Sequence, residues 1–125
     1  MKNKPKTAKY AKRFVSVRKN GDFQYLFKKG TSIVTYAFVC YYRPTKRRAN
    51  RLGIVASKKV GNAVKRNRAR RVIREAFRLV QPLLAEQTAI TGKHHDFVFV
   101  ARGKTPSLGS KQIYELLIKQ LLPKL

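Results

Sequence analysis

The chain has 125 residues, 30 of them Lys or Arg against 5 Asp or Glu, a formal net charge of +25. That length suits one domain, and 43% hydrophobic residues suffice for one modest core, which excludes wholesale disorder. Self-repulsion at such a charge calls for a polyanionic companion, and the lone Cys40 excludes an intramolecular disulfide framework or a cysteine-based zinc site and suits a reducing, cytoplasmic setting.

Residues 1–13 hold six basic residues (Lys2, Lys4, Lys6, Lys9, Lys12, Arg13) and no acid, and are expected to form a solvated basic arm ahead of a folded unit over 14–125. No apolar signal core follows them, and no stretch approaches the ~18 apolar residues needed to cross a bilayer. A first helix is predicted from near Asn20, with Asn20 or Asp22 as N-cap, Phe23, Leu26 and Phe27 on one face, and Gly30 at its end. Ser32–Arg43 is rich in β-branched and aromatic residues and is predicted as a long strand, single or split in two, ending at Pro44. Alternation sets Val39 and Tyr41 on one face and Phe38, Cys40 and Tyr42 on the other. A basic loop (Lys46, Arg47, Arg48) leads to a strand over Arg51–Ser57, and Gly61-Asn62 punctuates before a helix predicted over Ala63–Val80. Pro82 is expected to end that helix and a polar linker to follow it. Asp96–Ala101 is predicted as a buried strand, with His94 and His95 in a surface loop. A final amphipathic helix follows Pro106 and Ser107. The resulting order, α-β-β(-β)-α-β-α, describes an α+β sandwich.

The Ala63–Val80 helix carries the functional signal. On a helical wheel Ala69, Val72, Ile73, Ala76, Leu79 and Val80 share one side, while Asn67, Arg70, Arg71, Arg74 and Arg78 share the other. Arg66 and Arg68 fall near its borders. From Lys58 to Arg74 the chain has Lys58, Lys59, Lys65 and five arginines, without one acid. Most charge runs are solvated faces, but those mix signs, whereas like charges at i, i+4 destabilise a helix by ~0.2–0.5 kcal/mol per pair. Arginine also suits phosphate and stacked-base contacts. A nucleic-acid surface explains the pattern better. The neighbouring aromatics (Phe23, Phe27, Tyr36, Phe38, Tyr41, Tyr42) favour single-stranded RNA, with core packing as the competing use of most of them.

The five acids, Asp22, Glu75, Glu86, Asp96 and Glu115, are scattered, and none has the paired spacing of metal-assisted phosphodiester cleavage. Neither a catalytic residue nor a protein-held metal is expected. Two rival readings are a small basic ribosomal or RNA-chaperone protein without an enzymatic partner, and a membrane-active cationic protein. The second fits poorly, because the final helix has few basic residues opposite its apolar side.

The 27-residue run Arg51–Phe77, with Arg66-Asn67-Arg68 inside it, resembles the signature of the bacterial ribonuclease P protein component. Asn20–Gly30 and Asp96–Arg102 match the same family in order. The resemblance implies a central mixed sheet flanked by helices, with a left-handed βαβ crossover, as in the second domain of ribosomal protein S5. It implies an endoribonuclease holoenzyme whose catalytic RNA removes the 5′ leader of precursor tRNA, with Mg²⁺ held by RNA rather than by the protein. It also implies a leader cleft of Phe23, Phe27, Val39 and Tyr41. RNA contacts would come from Arg66, Asn67, Arg68, Arg70, Arg71 and Arg74, with Lys58, Lys59 and Lys65 adding charge and the protein itself a monomer.

Overall fold

The computed structural model describes residues 14–125, so the basic arm expected over 1–13 lies outside the described residues. In chain order the elements are β1 (Phe14–Ser16), α1 (Asn20–Lys29), β2 (Thr31–Val34), β3 (Phe38–Thr45), β4 (Asn50–Val55), α2 (Ala63–Thr91), β5 (His94–Ala101) and α3 (Ser110–Leu116). A short 3-10 turn, Thr105–Ser107, precedes α3, whose last turns widen and then tighten through Lys124. The strands form one five-stranded sheet in the order β1-β4-β5-β3-β2. β4 runs parallel to β1 and β5, whereas β3 runs antiparallel to β5 and β2. This is the mixed α+β sheet expected, with α2 as the crossover between adjacent parallel strands.

One face of the sheet is the core. Phe38, Cys40 and Tyr42 from β3 and Phe97 and Phe99 from β5 pack against Ile73, Ala76, Phe77 and Val80 of α2 and Ile113 and Leu117 of the C-terminal helix. The ring of Phe77 meets Phe97 and Phe99 edge-on at 5.3 and 6.0 Å. Burial pushes the Cys40 thiol pKa well up, so it is an inert core residue.

Several local details differ from the expectation or refine it. β1 is a strand too short to show in a sequence pattern, and it is held by pairing along β4 and by Phe14 edge-on to Phe77 at 5.1 Å. Of the two forms expected for Ser32–Arg43 the split one is found, as a hairpin: the Thr35 hydroxyl oxygen accepts the amides of Ala37 and Phe38 (3.1 and 3.0 Å) and turns the chain between β2 and β3. β3 then continues through Pro44 to Thr45. Neither Asn20 nor Asp22 caps α1; Lys19 occupies that position without a side-chain bond, and Asp22 points to Arg51 instead.

α2 does not stop at Pro82. Proline removes one helical hydrogen bond, but Pro82 is exposed, while the turns beyond it bury Leu84 and end at Gly92 in the left-handed region (φ 74°). On the α2 wheel, Leu79 stands about 120° from Ile73 and is 45% exposed, leaving Phe77 to fill the place expected of it. Finally, His94 and His95 belong to β5, since they pair with Thr45 and Pro44 of β3 and the His95 amide donates to the Asn50 side chain at 2.8 Å.

Candidate nucleic-acid interface

The second face of the sheet is organised in three rows by the strand register. The first is four valines wide: Val34 pairs with Val39, Val39 with Val100, and Val100 with Val55, so one row crosses β2, β3, β5 and β4. The second row is Ser32, Tyr41, Val98 and Gly53. The third is Arg43, Asp96, Arg51 and Val15.

α1 lies across the second row. Leu26 is buried beneath it, and Phe27 meets Tyr41 edge-on with ring centroids 5.0 Å apart. Phe23 rests on Gly53 so closely that a Cβ there would stand 2.7 Å from the ring. Glycine makes that approach possible. Residues four apart share one flank of a helix, so Phe23 and Phe27 together form a wall facing the first row. The valines form the floor: Val34 is 63% exposed, and Val39, Val55 and Val100 are partly open. The structure thus brings together Phe23, Phe27, Val39 and Tyr41. Sequence reasoning missed Val34, Val55 and Val100. Alternation in Phe97–Val100 marks Val98 and Val100 as facing away from the two phenylalanines, but only the register aligns them with Val39.

A basic border joins this cleft to α2. Beyond Val55 the chain turns through Ser57–Gly61, carrying exposed Lys58 and Lys59, into the α2 N-cap Asn62, whose Oδ1 accepts the Lys65 amide at 3.0 Å. In the first turns of α2, Arg66 Nη1 donates to the Gly61 carbonyl (2.9 Å), Arg68 Nε to the Pro106 carbonyl (2.6 Å) and Arg70 Nη1 to Asn67 Oδ1 (3.0 Å). The Arg66-Asn67-Arg68 motif therefore shapes the start of α2, and each guanidinium, with five N–H donors, keeps several for a ligand. Arg71 and Arg74 are exposed. Among the described residues, ion pairs form only at Arg51 and at Arg78, which meets Glu75 at 2.7 Å. The remaining α2 arginines have no carboxylate partner among the described residues, whereas Arg78 is paired.

Asp22 and Asp96 are both bound to Arg51. His95 packs against Tyr42 and Phe97, with centroids 6.2 and 5.8 Å away; burial, with Lys93 and His94 nearby, holds its pKa below the ordinary imidazole value. Among the described residues no three His, Cys, Asp or Glu side chains are grouped to hold a metal ion, and no helix is long and apolar enough to cross a membrane.

Comparison with known proteins agrees with this geometry. The Ribonuclease P family profile matches residues 11–125. A ribonuclease P protein component from an Exiguobacterium species is 36% identical over 101 residues, 81% of this chain and 82% of that protein. One from Caldanaerobacter subterraneus is 33% identical over 112 residues, covering 90% of each. Among solved structures, the RNase P protein of Staphylococcus aureus superposes with a TM-score of 0.66 at 34% identity, over 87% of this chain and 94% of that one. That of Thermotoga maritima gives 0.66 at 29%, over 86% and 96%. The reading as a ribosomal or chaperone protein without an enzymatic partner finds no support in these matches, and the chain belongs to the ribonuclease P protein family, the protein part of the endoribonuclease that matures tRNA 5′ ends.

Proposed function

We propose that this protein holds the single-stranded 5′ leader of precursor tRNA in the cleft between α1 and the valine row, while the α2 arginines engage the catalytic RNA and the adjoining precursor backbone. The observation that carries this reading is the continuity of an open apolar floor, an aromatic wall and an unneutralised basic border. Bases laid against Phe23, Phe27 and Tyr41 would gain ~1–3 kcal/mol each by stacking, whatever their sequence. Arg66, Arg68, Arg70, Arg71 and Arg74, with Asn67, Lys58, Lys59 and Lys65, would offset repulsion between two RNAs that otherwise need high salt to associate.

In this reading the protein's own groups bind and orient, and the chemistry belongs to the RNA. RNA-held Mg²⁺ would activate the water and stabilise the leaving oxygen. We place the protein in the cytoplasm, as a monomer within its complex, beside the catalytic RNA and precursor tRNA.

The test is Tyr41→Ala in the reconstituted holoenzyme. It should weaken precursor tRNA binding about thirtyfold, the middle of the stacking range, and leave mature tRNA, which lacks the leader, unaffected. Equal loss on both substrates refutes the cleft.

A further inference from the structure

The flank of α1 turned away from the cleft is also fastened to the sheet, by the third row. Arg51 on β4 grips Asp96 of β5 with a fork, Nε to Oδ1 and Nη2 to Oδ2 at 2.8 Å each, and its remaining Nη1 donates to Asp22 Oδ2 of α1 at 3.0 Å. Its side chain is only 11% exposed. One turn along the same flank, the Arg43 guanidinium of β3 lies over the Tyr25 ring, 4.8 Å from its centroid. α1 is ten residues long, too short to hold its place by helical propensity alone.

Asp22 is hard to explain as a surface residue. Its side chain is 33% exposed beside a cleft for a polyanion, and it is one of five acids in a chain with 30 cations. Toward RNA alone, its charge is adverse. Toward α1 its effect is different: Phe23, the next residue, stands on Gly53, so the Asp22–Arg51 bond fixes the helix turn from which the cleft wall projects.

We propose that Arg51, acting through Asp22, and Arg43, acting through Tyr25, are positioning residues that clasp α1 from behind and set the wall that grips the leader. This rests on the leader reading above. The two arginines lie on neighbouring rungs around β5, Arg43 opposite Asp96 on one side and Arg51 opposite it on the other. The clasp therefore ties α1 to three strands at once.

The experiment measures precursor and mature tRNA binding by holoenzyme reconstituted with the wild-type chain, Asp22→Asn, Asp22→Glu, Tyr25→Leu and Tyr41→Ala, together with amide exchange in the free proteins. Asp22→Asn should weaken precursor binding roughly two- to fivefold, the range of a partly exposed ion pair, spare mature tRNA, and speed exchange in α1 but not in α2. Tyr25→Leu should act in the same direction, and Asp22→Glu should restore most of the loss. If Asp22→Asn instead tightens binding of both RNAs, or changes neither, Asp22 is only a repelling surface charge and the clasp is overturned. Loss with Tyr41→Ala but none with Asp22→Asn defeats the clasp alone. No loss with Tyr41→Ala defeats the leader reading, and the exchange rates of α1 then still decide whether the clasp exists.

Discussion

Gly53→Ala tests how α1 is seated, because the structure states what the added methyl would meet. It would lie 2.7 and 2.9 Å from Cε1 and Cζ of Phe23 and 3.1 Å from Cβ of Val17. Carbon atoms rest at about 3.5–4.0 Å, so Phe23 would have to withdraw by about 1 Å. Val17 offers no relief: it is 6% exposed, and its amide is bonded to the Leu52 carbonyl at 2.9 Å. Overpacking of this kind destabilises by ~1–3 kcal/mol. Alanine is otherwise better than glycine inside a strand by about 0.5–1 kcal/mol, so the net loss should be about 1 kcal/mol and at most about 2.5 kcal/mol. Urea denaturation measures it, with Gly21→Ala as the control, since nothing lies within 4 Å of a Cβ at that helical position. The same displacement should narrow the preference of the holoenzyme for precursor over mature tRNA. A variant as stable as wild type, with that preference intact, would mean that Phe23 does not stand on Gly53.

Three further outcomes follow from other parts of the molecule. Arg70→Ala combined with Arg74→Ala should weaken assembly with the catalytic RNA and lower the slope of log affinity against log salt by about one to two, read by titration at several salt concentrations. Pro82→Ala should stabilise the fold by about 1–3 kcal/mol, because position 82 is exposed and regains a bond to the Arg78 carbonyl, while the less restricted unfolded chain offsets part of that gain. His95 resists protonation in the folded state, where burial is the main cause and Lys93 and His94 add to it. The unfolded imidazole takes up its proton near pH 6.5. Stability should therefore be full above that pH and fall below it, and His95→Gln, which keeps the amide bond to Asn50, should flatten the decline in denaturation runs from about pH 7 to pH 5.

The parts of the fold visible in the sequence are those set by local period. Alternation in β3 separated Val39 and Tyr41 from Phe38, Cys40 and Tyr42, and the structure keeps that division. The wheel of α2 placed Ala69, Ile73, Ala76 and Val80 inward and the arginines outward. What escaped depends on contacts distant in sequence. β1 exists through its pairing with β4, and α2 survives Pro82 because Leu84 finds a buried place further on. The hairpin turn at Thr35 rests on one hydroxyl within a run that otherwise suits an unbroken strand. The wall residues Phe23 and Phe27 stood out by helical spacing. The floor is a row across four strands, and no window along the chain contains it.

Arginines show the same limit in chemical form. In a chain with 30 cations, composition treats Arg51 and Arg74 alike, since both lie in the basic signature run. Their surroundings separate them. Arg51 sits 11% exposed between two carboxylates that raise its pKa further, mainly through the bond to Asp96, so its charge is neutralised within the protein. Arg74 is exposed with no carboxylate in reach among the described residues. A guanidinium already forked to a carboxylate has little to gain from a phosphate, whereas an unpaired one on a like-charged helix face gains a counter-ion and relief from its neighbours. It follows that Arg51→Lys, which keeps the charge and loses the fork, should damage the protein more than Arg74→Lys. Arg74→Lys should shift RNA affinity only modestly. If the order were reversed, with Arg74→Lys the more harmful in folding and Arg51→Lys harmless, the separation of fastening from binding arginines drawn from these ion pairs would be wrong.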